Sequence, residues 1–279
     1  ASQMTRSSCN GVTTVLMGNC GVGFAPVRPE HHDMLSSLME GVEDIPEVVM
    51  QEGLPWTWAS FPDYLDMLAG RQYDVDVATQ VPHAALRVFV MGERGANREE
   101  ATAADRAEMA RLAAEGVRAG AFGFSTSRLL QHRTAEGEPI PSYGAAEAEL
   151  AEIADAVGQV GRGWLQVVGD YGAAIDQEFG LLTRLAKRSG RPLTLTLLQK
   201  NSNPEQWRDL LGRIAAANAD GLRITGQIRG RPTSTLLGFE LSENPFIGCP
   251  SWRALAPLAI DARVAILGDP DFRARLLAE

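Results

Sequence analysis

Six short apolar runs, rich in β-branched residues, alternate with helical segments along this chain. The runs are Val12–Met17, Val75–Val81, Ala121–Ser125, Trp164–Val168, Pro192–Leu198 and Leu222–Ile228. Strands that alternate with helices favour a parallel sheet, because parallel neighbours need a long crossover connection. A closed barrel of this class needs eight strand–helix units. The sequence therefore predicts an α/β fold of the (β/α)8 TIM-barrel type that is incomplete, with about six of the eight units visible.

The connection after the first predicted strand is much longer than the others and is interpreted as an insertion at about residues 24–70. It contains Pro55–Trp58 and then a helix that starts at Ser60, with Pro62 and Asp63 in its first turn. A long, tryptophan-containing segment after a strand can form a lid or pocket wall, or an aromatic mini-core beneath a loop. The sequence leaves both interpretations open.

The charge of the chain disfavours two classes of partner, and its cysteine content disfavours a disulfide-linked fold. The formal net charge of -9 disfavours nucleic acid and anionic membranes, since both need a basic face. No apolar run has the length of a bilayer span. Cys9, Cys20 and Cys249 are too few and too scattered for a disulfide framework, so a cytoplasmic location is expected. An unclosed sheet would leave open edges through which the chain could form a homo-oligomer.

The segment Gly18–Gly21, Gly-Asn-Cys-Gly, directly follows the first predicted strand. Loops at the carboxyl ends of parallel strands converge on one pocket, where ligands and metals bind. Cys20 can therefore be a pocket residue. It can equally be a small buried residue with an inert thiol.

Other candidate site residues also lie where predicted strands end. His83 ends the second strand and either faces the same pocket as Cys20 or is a buried histidine satisfied by hydrogen bonds beneath it. Ser125 and Arg128 lie at the tip of the third strand, and the arginine could bind a carboxylate through two parallel hydrogen bonds. Asp170 follows the fourth strand, as a pocket residue or a helix cap.

Together, several segments resemble the amidohydrolase superfamily and, within it, the N-acyl-D-amino-acid deacylases. The matching segments are Gly11–Val15, Gly18–Val27, Gly41–Pro46, Phe61–Leu65, His83–Arg87 and Gly120–Thr126. The Gly-Asn-Cys-Gly segment with its flanks is the most specific of them. The similarity covers nearly the whole chain, so residues 1–279 are interpreted as one amidohydrolase-like barrel segment.

The resemblance implies a metal-dependent hydrolase of carbon–nitrogen bonds other than peptide bonds, acting on a small N-acyl amino acid. It implies that Cys20 is a zinc ligand, which suits the preference of zinc for thiolate. A bound metal of this kind polarises the acyl carbonyl and generates hydroxide from water. Asp170 and His83 are then the candidate catalytic residues, and Arg128 and Ser125 the candidate substrate-binding residues.

The chain also departs from the pattern of the family. The resemblance implies a His-x-His strand before Ala1, histidines ending the fifth and sixth barrel strands, where this chain has Val167 and Leu198, and an aspartate after the eighth strand. We therefore expect an incomplete ligand set and a chain that is inactive or weakly active by itself. Two alternatives stay open: a metal-free divergent barrel that acts as a scaffold or binding protein, and a thiol hydrolase with Cys20 as nucleophile and His83 as base.

Overall fold

The computed structural model describes residues 4–43, 45–134, 137–172, 174–200, 203–228, 237–240 and 244–279. The chain divides into two compact units, Ala1–Arg229 and Gly230–Glu279. The first unit carries the sheet and every candidate site residue. The second contains three helices packed around a small apolar cluster that includes Trp252, Leu255 and Leu276. The inclusion of this second unit in the predicted barrel segment stays a prediction.

All six predicted strands are confirmed, and they form one parallel sheet in chain order. The strands are β1 (Thr14–Met17), β2 (Asp76–Pro82), β3 (Gly123–Arg128), β4 (Trp164–Gly169), β5 (Leu193–Thr196) and β6 (Ile224–Gln227). Because all pairs are parallel, the carboxyl ends of the strands lie at the same edge of the sheet. β1 and β6 are its outer strands, and the predicted homo-oligomer through such edges stays a prediction.

Helices connect successive strands, and the one helix whose start is predicted above begins as expected. The helices are α1 (Thr5–Ser8), α2 (His32–Glu43), α3 (Glu47–Gly53), α4 (Phe61–Ala69), α5 (His83–Met91), α6 (Glu93–Ala96), α7 (Ala103–Ala119), α8 (Glu147–Val160), α9 (Ile175–Ser189), α10 (Gln206–Ala219), α11 (Pro250–Leu255), α12 (Ile260–Leu267) and α13 (Pro270–Ala278). The predicted start of α4 is confirmed, since Ser60 accepts from the backbone of Asp63 and forms a capping box with it. No helix within these described ranges is long and apolar enough to cross a membrane.

The predicted insertion at about residues 24–70 contains α2, α3 and α4. Trp58 is buried there, donates from Nε1 to the carbonyl oxygen of Phe24 at 2.7 Å, and contacts Tyr64 with the ring centroids 5.0 Å apart. Phe61 contacts the same tyrosine at 5.8 Å. These contacts support the mini-core interpretation, because the aromatic rings pack against each other and the chain's own backbone. Trp58 and Tyr64 also line a cavity, so the pocket-wall interpretation is supported as well.

The two faces of the sheet differ in polarity. One face carries a row of paired apolar residues, Val81, Phe124, Leu165, Leu193 and Ile224. This face packs against the helices, since a Cβ on Gly116 of α7 would lie only 2.6 Å from Val81 Cγ2. The opposite face carries the paired polar residues Ser125, Gln166 and Thr194. The hydrophobic core of the first unit therefore lies between the sheet and its helices.

We predict that Leu193→Ala will lower the free energy of unfolding by about 2–5 kcal/mol, because it removes a fully buried side chain from the apolar row and leaves a cavity. Leu211→Ala is the matched control, since Leu211 on α10 is 42% exposed. It should change stability by no more than about 0.5 kcal/mol. Denaturant unfolding of both variants checks the prediction. Equal losses would contradict the assigned core.

Candidate functional site

The loop Gly18–Gly21, which carries Cys20, leaves β1 at the shared carboxyl edge of the sheet. Its backbone is tied to neighbouring elements at both ends. The carbonyl oxygen of Gly18 accepts a hydrogen bond from Ser125 Oγ on β3. The carbonyl oxygen of Gly21 accepts from the backbone N–H of Ala84 on α5, at 2.9 Å. The loop is thus held between β3 and the start of α5.

Both glycines are required by the geometry of this loop. Gly18 has φ +77° and Gly21 has φ +70°, in the left-handed region that side chains disfavour. A Cβ on Gly21 would lie 2.6 Å from Thr126 Cα, and one on Gly18 would lie 2.9 Å from the carbonyl oxygen of Gln80. The Gly-x-x-Gly spacing therefore lets the loop pack directly on the backbones of β2 and β3.

Cys20 lies between these two fixed points. It is partly buried, packs against the hydrophobic core and forms no disulfide within the described residues. A cavity of about 340 Å³ lies beside the loop. Its lining includes Gly18 and Val22 and the aromatic residues Trp58 and Tyr64, but not Cys20 itself.

His83, a candidate catalytic residue, is fully buried at the first position of α5. Its Nε2 lies 2.6 Å from Glu149 Oε1 and its Nδ1 lies 2.8 Å from Thr126 Oγ1. Burial lowers the pKa of His83, against the opposing effect of the hydrogen bond with Glu149. Direct contact between His83 and a substrate would require one of these hydrogen bonds to break and the ring to become exposed. Its catalytic role stays a prediction.

Glu149 is the main feature that sequence reasoning missed. It is only 1% exposed, in the first turn of α8, and it also pairs with Arg87, whose Nη1 lies 2.6 Å from Oε1. Burial alone would raise the pKa of Glu149, but the hydrogen bonds and charges of His83 and Arg87 outweigh it and hold that pKa below its usual value. No spacing in the sequence signals a contact across 66 residues.

Arg128, the candidate substrate-carboxylate ligand, already binds a carboxylate of this chain. Its Nε and Nη2 lie 2.6 and 2.9 Å from the two carboxylate oxygens of Glu178 on α9, and its Nη1 donates to the carbonyl oxygen of Ala145. The hydrogen bonds with Glu178 raise the pKa of Arg128 further, so it stays charged. Arg128 therefore makes the expected pair of parallel hydrogen bonds to a carboxylate, but that carboxylate is Glu178 of the same chain. Substrate binding by Arg128 stays a prediction.

Ser125 and Asp170 have different environments. Ser125 is fully buried, and its hydroxyl donates to Gly18, so it anchors the Cys20 loop. Asp170 follows β4 with its side chain 41% exposed, and its Oδ1 accepts a hydrogen bond from Lys200 Nζ at 2.8 Å. Of the two, Asp170 is the residue that a ligand at the carboxyl edge can reach. The roles predicted for both residues stay predictions.

The described residues do not fit a complete zinc site. Nowhere in the described ranges do three or more His, Cys, Asp or Glu side chains come together in a way that could hold a metal ion. Cys20 contributes one sulfur, and both ring nitrogens of His83 are engaged elsewhere. A catalytic zinc typically has three protein ligands. Cys20 as a metal ligand therefore stays a prediction of the resemblance.

The structure also refines which residues occupy the strand ends where the resemblance places histidines. Val167 pairs with Thr126 and Leu195 and lies on the helix-facing side of β4, in the hydrophobic core. Val168 lies on the opposite face and lines a small cavity together with Leu198. The residue that shares a site with Leu198 is therefore Val168, and both are apolar.

Comparison with known proteins gives a consistent result. The model of a protein family described as an amidohydrolase family matches residues 1–279. D-aminoacylase from Alcaligenes xylosoxydans xylosoxydans is 29% identical over 224 residues, which are 77% of this chain and 40% of that protein. The chain thus spans about two fifths of the length of that relative.

Solved structures show the same fold. A crystal structure of D-aminoacylase superposes with a TM-score of 0.61 at 26% identity, covering 82% of this chain and 44% of that one. N-acyl-D-glutamate deacylase from Bordetella bronchiseptica, solved with zinc and a phosphonate inhibitor, superposes with a TM-score of 0.62 at 23% identity, covering 84% and 45%. The predicted fold class, an incomplete TIM-type barrel, is confirmed by these similarities.

We predict that Gly21→Ala will destabilise the chain by about 2–5 kcal/mol, because it adds a steric clash with Thr126 to the cost of a left-handed alanine. Gly144→Ala is the matched control. Gly144 has φ +73°, and a Cβ there would meet nothing within 4 Å, so only the backbone cost of about 1–2 kcal/mol remains. Thermal and denaturant unfolding compare the two. Similar losses would show that the loop does not pack closely on β3.

Proposed function

The chain belongs to the amidohydrolase family, and on that premise we propose that it serves in hydrolysing the carbon–nitrogen bond of a small N-acyl-D-amino acid. This substrate class is the one in the names of two relatives, N-acyl-D-aspartate deacylase and N-acyl-D-glutamate deacylase. Residues 1–279 provide the barrel frame and the Cys20 loop. They do not provide a complete metal centre within the described residues, so the chain is inactive or weakly active by itself.

The observation that carries this proposal is the fixed position of the Gly18–Gly21 loop. Two left-handed glycines pack on β2 and β3, and Ser125 and Ala84 bind their carbonyl oxygens. This arrangement supports a functional role for the loop, because a tight, doubly anchored loop holds the side chain between its anchors at the edge where parallel strands bind ligands.

The surroundings of the loop suit the two ends of such a substrate. The cavity of about 340 Å³ beside it has a mainly apolar lining that includes Trp58 and Tyr64, which suits an acyl group. Arg128 ends β3 and Asp170 follows the adjacent strand β4; neither lines this cavity, but their charges suit the polar amino-acid part of a substrate bound at the carboxyl edge. Arg128 would exchange Glu178 for the substrate carboxylate, and Asp170 would accept a hydrogen bond from the substrate nitrogen.

One observation favours the second candidate, a metal-free barrel that acts as a scaffold or binding protein. The resemblance implies histidines at Val167 and Leu198, but Val167 is in the core, and the two residues that line the small cavity at these strand ends, Val168 and Leu198, are both apolar. The thiol-hydrolase alternative is disfavoured, since Glu149 and Thr126 occupy both nitrogens of its required base, His83.

The resemblance groups the ends of β1, β4 and β5 in one metal site, and on that basis we predict that the double variant Val168→His, Leu198→His will bind about one equivalent of Co²⁺, because its two imidazoles would join the Cys20 thiolate as the three ligands of a catalytic site. Co²⁺ titration should give a thiolate-to-cobalt absorption band that the wild-type chain lacks. The triple variant that adds Cys20→Ser is the matched control and should lose the band. A folded double variant whose spectrum does not depend on Cys20 would contradict the placement of this residue at the metal position.

We further predict that the 279-residue chain, incubated with zinc and N-acetyl-D-glutamate or N-acetyl-D-aspartate, will release amino acid at most slightly faster than a control without protein. The reason is the incomplete donor set in the described residues. Chiral chromatography of the product and elemental analysis of the protein provide the measurement. Robust zinc-dependent deacylation by the chain alone would overturn the proposal that it needs further ligands.

A further inference from the structure

We infer that His83, Thr126 and Glu149 form a buried positioning device for the Cys20 loop. The inference rests on the proposed function in one respect, that this function gives the position of Cys20 a role. The contacts that hold the loop lie within the first unit and do not depend on that function. His83, Thr126 and Glu149 belong to α5, β3 and α8, three elements that are far apart in the sequence.

The hydrogen bonds and the burial of His83 together define the protonation of the cluster. A carboxylate only accepts hydrogen bonds, so the 2.6 Å contact between His83 and Glu149 requires the proton on His83 Nε2. Burial lowers the pKa of His83, so the ring is neutral at neutral pH; its Nδ1 is therefore an acceptor, and the hydroxyl of Thr126 donates to it at 2.8 Å. Arg87 neutralises Glu149, and its Nη2 also donates to the carbonyl oxygen of Glu99 at 2.6 Å. The cluster contains one buried ion pair and a neutral imidazole.

The cluster meets the Cys20 loop at Gly21 from two sides. The backbone N–H of Ala84, the residue after His83, donates to the carbonyl oxygen of Gly21. Thr126, the hydrogen-bond partner of His83, packs its Cα against the Cα of Gly21. The His83–Thr126 hydrogen bond therefore fixes the spacing between the two surfaces that hold Gly21.

Glu149 makes this spacing rigid. Without a partner, His83 could rotate and release Thr126, but the carboxylate fixes the ring through Nε2. Arg87 holds the carboxylate from one turn further along the same helix as His83. Both ring nitrogens of His83 and both carboxylate oxygens of Glu149 have a partner in the cluster, while Nε of Arg87 is buried without one. Pairing of His83 and Glu149 on both sides favours one geometry for their side chains. We assign His83 and Glu149 as positioning residues that act on Cys20 through Gly21.

The test measures the thiol of Cys20 directly, in a Cys9→Ser, Cys249→Ser background where it is the sole thiol. Thr126→Val keeps the shape of the side chain and removes the hydroxyl. It should change the alkylation rate constant of Cys20 by about fivefold, the ratio that corresponds to losing one buried hydrogen bond. Thr126→Ser keeps the hydroxyl, so the alkylation rate constant of Cys20 in this variant should stay within about twofold of the parent.

Leu193→Ala controls for a merely structural effect, because it weakens the core without touching the cluster. It should lower stability and leave the alkylation rate of Cys20 unchanged. If Thr126→Val alters the rate no more than Leu193→Ala does, the inference is overturned. Neither zinc nor substrate enters this measurement, so it can succeed or fail independently of the deacylase proposal.

A second measurement needs no variant. Long-range nitrogen–proton NMR of the wild-type chain should show His83 at neutral pH as a single neutral tautomer with its proton on Nε2. A protonated ring, or a mixture of the two neutral tautomers, would overturn the cluster as described, whether or not the Thr126 variants fold.

Discussion

The fold of the first unit depends on the parallel pairing of its six strands, which lie side by side in chain order from β1 to β6. Parallel hydrogen bonding brings every strand's carboxyl end to one edge, so the loops after β1, β3 and β4 meet where a barrel binds its ligands. It also divides the sheet into an apolar face under the helices and a polar face opposite. The Cys20 loop can be held by β3 and α5 only because this pairing places them beside the end of β1.

Much of the fold could be predicted because its signals are local. Each strand is an apolar, β-branched run, and the Ser60–Asp63 capping box marks the start of α4 within four residues of sequence. The glycines at 18 and 21 were also informative, because a left-handed backbone and a close approach both select glycine. Such features depend on neighbouring residues, so a single sequence contains them.

The site could be predicted only in outline, because its geometry depends on distant contacts. His83 was a recognisable candidate, but its burial against Glu149 joins residues that no local pattern connects. The choice between Val167 and Val168 shows a second limit. Adjacent strand residues face opposite sides, so an uncertainty of one position in sequence moves a predicted ligand from the cavity to the core. Arg128 had the expected chemistry, and its internal partner Glu178 became visible only in the structure.

The Cys20 loop is held rigidly by its contacts with β3 and α5. Hydrogen exchange at the backbone amide of Ala84, which donates to Gly21, is the sharpest test of this. First-turn helix amides have no partner within their own helix, so protection of this amide reports its bond to Gly21 alone. We expect protection of this amide within about tenfold of the amides of β3, since both should open only with the core. Exchange close to the rate of an unstructured peptide would contradict it, because the loop would then move independently of the sheet.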